Sequence, residues 1–137
     1  MRLWTGAIAA IFLLSLASAR ADPCTAPLSA RAGQTFSGPV RYVGDGDSLC
    51  IGRSGNPAAW IEVRLADFDA PELHAAGGAR ARALLTRVAG GHALACTAVP
   101  GRSGRVVVYD RVIAACTLNG RRLGDVLRSA GGIEGGN

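Results

Sequence analysis

Five of the ten acidic side chains in this 137-residue sequence fall in two short stretches. In Val43-Gly44-Asp45-Gly46-Asp47-Ser48, two aspartates stand two apart, so an extended backbone would point both to one face. Carboxylates so paired repel, and a cation between them is the usual remedy. An EF-hand loop does not explain them, because its twelfth position must be glutamate and counting from Asp45 reaches Asn56. A solvated aspartate–glycine turn uses the same residue types. In Val63-Arg64-Leu65-Ala66-Asp67-Phe68-Asp69-Ala70-Pro71-Glu72, an arginine ends an apolar run and acids crowd the segment closed by Pro71. Metal-assisted phosphodiester hydrolysis needs these types: carboxylates for a hard cation, a free carboxylate to take a proton from water, and a guanidinium for the phosphate. An internal salt bridge from Arg64 to Asp69 or Glu72 suits the spacing equally well. A third stretch, Tyr109-Asp110-Arg111, follows Arg102, Arg105 and Val106 to Val108, and offers a second arm for a phosphate clamp.

These groups need a scaffold, and the composition bounds it. With 49% hydrophobic, 18% charged and 5% aromatic residues, the chain reads as one domain behind a targeting segment. Arg2, the apolar run Thr5 to Leu16 and Ala19-Arg20-Ala21 have the layout of a secretory signal peptide, read as residues 1–21. The apolar run is shorter than the roughly 20 residues that span a bilayer. The mature part, 22–137, is then expected to be exported to the periplasm or the extracellular space, with no membrane contact after cleavage. All 15 basic residues are arginines, and losing Arg2 and Arg20 leaves 13 against 10 acids, a net charge of +3. Guanidinium groups grip phosphate with a two-pronged fork, so the charge permits a polyanionic partner without demanding one.

Four cysteines, Cys24, Cys50, Cys96 and Cys116, make two disulfides the expectation in an oxidising compartment, with three connectivities open on counting. Zinc is the rival, but no two cysteines show the close spacing of a metal knuckle. Cys96 and Cys116 sit in two alternating stretches that adjacent strands would bring together, which leaves Cys24 with Cys50. Strands are expected over Phe36–Val43, Leu49–Gly52, Trp60–Leu65, Ala93–Ala98 and Val106–Leu118, the last with a break near Asp110. Ala81, Leu84, Leu85 and Val88 form an apolar stripe on a helix over Ala79–Val88, and Leu123, Val126, Leu127 and Ala130 one over Leu123–Ala130. Arg80, Arg82 and Arg87 then fall on a solvated helix face, and His74 and His92 on exposed loops. Short strands around an early helix describe an α+β domain, a small five-stranded barrel of the OB type with two helices.

Taken in order, the three stretches resemble the staphylococcal nuclease (thermonuclease-like) family. Asp45-Gly46-Asp47-Ser48 stands for its D-G-D-T, Arg64-Leu65 with Asp69-Ala70-Pro71-Glu72 for its R-L-x-x-x-D-[TA]-P-E, and Tyr109-Asp110-Arg111 for its Y-G-R. The similarity covers about residues 36 to 131. It implies a Ca2+ site made by Asp47, Asp69 and the Ala70 carbonyl, with Asp45 supporting it through water; hard oxygen ligands of this kind suit Mg2+ or Mn2+ as well. It implies Glu72 as the carboxylate that activates or orients the attacking water. Arg64 and Arg111 would stabilise the charge developing on the phosphate, with Tyr109 beside it. The implied reaction is endonucleolytic cleavage of DNA and RNA with little sequence preference. Against the family pattern, Asp110 replaces a glycine, Ser48 a threonine, and the residues after the second helix leave no room for the family's last helix. Cys96 with Cys116 fits the pairing of the strands flanking Tyr109 in that architecture.

Two classes of function are expected from this reading: a monomeric, exported, calcium-dependent endonuclease, or an OB-fold module that binds calcium or a polyanion without turnover. The joint presence of Arg64, Glu72 and Arg111 favours the enzyme.

Overall fold

In the computed structural model, which describes residues 22–28 and 30–135, the glycine-punctuated apolar runs become seven strands. They are β1 (Thr35–Val43), β2 (Ser48–Ile51), β3 (Ile61–Leu65), β4 (Ala93–Ala98), β5 (Val107–Val108), β6 (Arg111–Leu118) and β7 (Arg121–Arg122). Helix α1 (Gly78–Ala89) lies between β3 and β4, and α2 (Leu123–Ser129) follows β7. The expected signal segment, 1–21, lies outside the described residues. No described helix is long and apolar enough to cross a membrane.

β1, β2 and β3 form an antiparallel meander, and β4 pairs antiparallel with both β1 and β6. β3 then pairs β6 in parallel, Val63 opposite Val112 and Leu65 opposite Ala114, which closes five strands into a barrel. A parallel pair needs a long crossover, and α1 with β4 supplies it. The result is the expected small α+β domain of OB type. Alternation decides what points inward: Val63 and Leu65 are buried on β3, Leu94, Cys96 and Ala98 on β4, and Val112 and Ala114 on β6. Leu84, Leu85 and Ala89 on α1 and Leu123 and Leu127 on α2 join the same core.

Both disulfides have the expected partners, Cys24 with Cys50 and Cys96 with Cys116. Cys96 and Cys116 lie directly opposite on β4 and β6. The Cys24–Cys50 bridge ties the irregular arm before β1 to β2, and the arm's Thr25 and Ala26 N–H groups donate to the carbonyls of Pro57 and Trp60. The fifth expected strand divides more sharply than a break: Tyr109 and Asp110 take positive φ (49° and 60°) and turn β5 back onto β6 as a hairpin. Two left-handed residues suit a hairpin turn, and aspartate tolerates that conformation better than most side chains. Arg82 also departs from the solvated face expected of it. Its Nε donates to the Val43 carbonyl at 3.0 Å and its guanidinium lies 5.8 Å from the Tyr42 ring centre, fastening α1 to the end of β1. Arg80 and Arg87 are exposed, as are His74 and His92.

Candidate active site

The turn between β1 and β2 is organised by Asp45. Its Oδ1 accepts from the Asp47 N–H at 3.0 Å and from the Ser48 hydroxyl at 2.8 Å, a local aspartate turn that commits this oxygen to the protein itself. The chain at Asp47 is held against β3, where the Leu65 N–H donates to the Asp47 carbonyl at 2.8 Å and Ser48 stands opposite Arg64. Asp47 is thereby buried, only 5% exposed, beside the arginine that sequence spacing singled out.

The segment after β3 meets this turn. The Ala70 N–H donates to Asp47 Oδ2 at 2.8 Å. Arg64 Nη2 lies 3.6 Å from Asp47 Oδ2 and 3.0 Å from Asp69 Oδ1, so one guanidinium bridges both carboxylates. Gly46 makes the approach achievable. A Cβ there would sit 2.5 Å from the Ala70 Cβ and 2.6 Å from the Ala81 Cβ on α1. Asp47, Asp69, Ala70 and Arg64 therefore form one cluster, with Asp45 behind it.

Arg111 opens β6. Because Arg64 stands opposite Ile113 in the parallel β3–β6 pair and Arg111 lies two residues before Ile113, the stems of both arginines leave the same face of the barrel. Arg111 is close enough to Asp45 for its charge to lower that carboxyl's pKa. Tyr109 is 86% exposed at the hairpin tip. Glu72 is exposed on the segment between Pro71 and α1, where its carbonyl accepts from the Ala75 N–H at 2.9 Å.

Burial is the largest influence on the two aspartates of the β1–β2 turn. Burial, followed by the Asp45 charge and hydrogen bond, pushes the Asp47 carboxyl up to about 7, against the pull of the Ala70 N–H and Arg64. Burial pushes Asp45 in the same direction, but the hydrogen bonds from Asp47 and Ser48 and the Arg111 charge outweigh it and hold Asp45 below its usual value. Among the described residues no three His, Cys, Asp or Glu side chains form a ready-made metal cage. The donor set on offer is smaller, two carboxylates and a backbone carbonyl. These are oxygen donors of the hard type that calcium or magnesium takes, and in this structure Asp47 Oδ2 and both Asp69 oxygens are engaged by the Ala70 N–H, Arg64 and Arg102.

Three neighbours were not singled out from the sequence as site residues. Arg102, on the segment between β4 and β5, places Nη2 3.1 Å from Asp69 Oδ2, so both Asp69 oxygens face guanidiniums. Glu62 lies on β3 near Arg111, its carboxyl pushed up to about 7 by burial and by a hydrogen bond shared with Asp22. Glu134 accepts from the Asp69 N–H at 3.1 Å, 65 positions along the chain. Arg102 stood near the third motif. The other two are far from Arg111 and Asp69 in sequence and carry no local signal. A scan against known protein families and a search of curated proteins both find no match for this chain.

Proposed function

We propose that the protein is an exported nuclease that hydrolyses phosphodiester bonds of DNA and RNA with a bound divalent cation, calcium first among the candidates. The observation that carries this reading is the convergence of the β1–β2 turn, through Asp47, with the segment after β3, through Asp69 and Ala70, on the barrel face that Arg64 and Arg111 share. The three motifs shared with the staphylococcal nuclease family support it, and the two disulfides are in keeping with an oxidising compartment outside the cytoplasm.

In this reading Asp47, Asp69 and the Ala70 carbonyl hold the cation, which when bound supplies positive charge against the phosphate oxygens. Asp45 keeps the Asp47 turn in shape through its bonds to the Asp47 N–H and the Ser48 hydroxyl. Arg64 and Arg111 hold the scissile phosphate from one face and meet the charge that grows on its equatorial oxygens. To reach a phosphate Arg64 would leave Asp69, a carboxylate that Arg102 still pairs at 3.1 Å. Glu72, exposed and free to face solvent, takes the proton from the attacking water or orients it. Tyr109 lies beside the phosphate at the edge of the site.

The test incubates the oxidised mature domain with plasmid DNA and with single-stranded RNA, in calcium or in chelator, beside Glu72→Gln and Arg64→Ala. The expected result is cation-dependent cleavage by the wild type and a loss of at least a hundredfold in each variant, within the usual worth of a general base or a charge-stabilising donor. A wild type that binds calcium yet cleaves neither substrate overturns the enzyme and leaves an OB-fold module for calcium or polyanions.

A further inference from the structure

The segment from Ala66 to Ala70 has no secondary structure of its own, so its backbone groups must find partners elsewhere. The barrel supplies two: Ala66 N–H donates to the Ala114 carbonyl at 2.9 Å, and Ala70 N–H to Asp47 Oδ2 at 2.8 Å. Further hydrogen bonds to this segment come from α2 and the residues after it. Arg128 Nη2 donates to the Asp67 carbonyl at 2.6 Å, and the Gly124 N–H to Asp67 Oδ2 at 3.1 Å. Gly132 N–H donates to the Leu127 carbonyl and folds the chain back from the helix. Glu134 Oε1 then accepts from Asp69 N–H at 3.1 Å, and Gly135 N–H donates to the Asp69 carbonyl at 3.1 Å. Both backbone polar groups of Asp69 are thus held by residues 134 and 135. Arg128 completes the clasp, with Nη2 3.0 Å from Glu134 Oε1 and its guanidinium 5.5 Å from the Phe68 ring centre.

We infer that Glu134, clasped by Arg128, is a positioning residue for Asp69: the strap of residues 132–135 sets the backbone at Asp69 and so the direction in which its carboxylate points. The inference rests on the reading of Asp69 as a cation ligand. Glu134 and Arg128 are both exposed, and an exposed ion pair adds little to global stability, so the consequence of the strap is local. Asp69 has no strand or helix to orient it, and its side chain is already drawn toward Arg64 and Arg102. Fixing the N–H and carbonyl on either side of its Cα sets the direction of the Cα–Cβ bond and so narrows the arc over which the carboxylate can swing.

Two measurements on the oxidised mature protein test this: hydrogen exchange at the Asp69 amide, and calorimetric titration with calcium chloride. Glu134→Ala is expected to speed Asp69 exchange at least tenfold and to weaken calcium binding about tenfold, the lower end of what partners behind a metal ligand contribute, with the unfolding midpoint little changed. Glu134→Gln keeps an acceptor oxygen for the Asp69 N–H and is expected to recover most of both effects, which a general loss of folding would not allow. Wild-type exchange and wild-type calcium affinity in Glu134→Ala overturn the inference. A wild type that takes up no calcium overturns the cation reading of Asp69 instead, and the exchange comparison then decides the strap by itself.

Discussion

Arg64 does in this structure what a cation would do, lying within ion-pair distance of both Asp47 and Asp69. Both contacts run from a single nitrogen, Nη2, so the rest of the guanidinium fork is not used in holding the two carboxylates. Glu62 presents the opposite problem, a carboxyl whose neighbours include Asp22 and Asp110 as well as Arg111. Burial comes first and Asp22 second in raising it from 4.5 to about 7. The folded state therefore holds this proton more tightly than the unfolded chain. The contribution to stability is complete below about pH 4.5 and is lost as pH rises through about 7. Asp47 is shifted in the same direction, so the difference between two proteins isolates Glu62. Thermal unfolding in chelator between pH 5 and 8 is expected to show a steeper fall of the midpoint for wild type than for Glu62→Gln. Parallel profiles would mean that Glu62 has no raised pKa.

At the scale of elements, the site is a meeting of two irregular segments that the barrel and α1 press together. The β1–β2 turn approaches Ala70 and Ala81 so closely that Gly46 admits no side chain. A Gly46→Ala variant must move the turn away from Ala70, stretching the Ala70 N–H to Asp47 bond. The expected cost is about 1–3 kcal/mol of unfolding free energy, as for other overpacked sites, together with weaker calcium binding. Urea denaturation and calcium titration of the same preparation check both, and wild-type values in each would show that the turn has slack. Element positions were largely legible beforehand. The apolar stripes of α1 and α2 and the alternation in Ala93–Ala98 depend on neighbours within a few residues, so local periodicity reports them. Capping of α2 was not legible. Arg122 at its start provides no side-chain cap, and the helix instead receives the carboxylate of Asp67, 57 residues earlier, on the Gly124 N–H. The division of Val106–Leu118 into β5 and β6 was seen only as a break, because a hairpin turn of Tyr109 and Asp110 lacks the asparagine or glycine that usually announces one.

For the whole molecule, the two disulfides close sequence separations of 26 and 20 residues in a domain with a modest core and few aromatics. Phe68 is buried, whereas Phe36, Tyr42 and Trp60 are half-buried at the surface. A small domain buries a limited share of its unfolded surface, so constraints on the unfolded chain matter more. The chain-entropy account assigns about 3 kcal/mol to a loop of either size. Replacing Cys24 and Cys50 together by serine is expected to lower the unfolding free energy by roughly that amount. The same change should free the arm before β1, measurable as faster hydrogen exchange at Thr25 and Ala26. An arm that keeps its protection would show that its hydrogen bonds to Pro57 and Trp60 suffice without the bridge.

The sequence by itself was enough for the barrel class, the places of the main strands and helices, and the three motifs that a nuclease reading requires, because each is written in spacing over a few residues or in residue type; the cysteine partners followed from the strands expected to lie side by side. Tertiary structure alone decided that Arg64 bridges Asp47 to Asp69, that Arg102 shares Asp69, that Glu62 faces Arg111, and that Glu134 and Gly135 hold the Asp69 backbone. Those contacts run from Arg64–Asp69, 5 positions apart, to Asp69–Glu134, 65 apart, and the neighbouring Asp69–Gly135. They exist because closure of the barrel through the parallel β3–β6 pair brings remote segments to one face. Ion pairs and hydrogen bonds act over a few ångströms of space, and no periodicity along the chain encodes which distant residue will occupy that space.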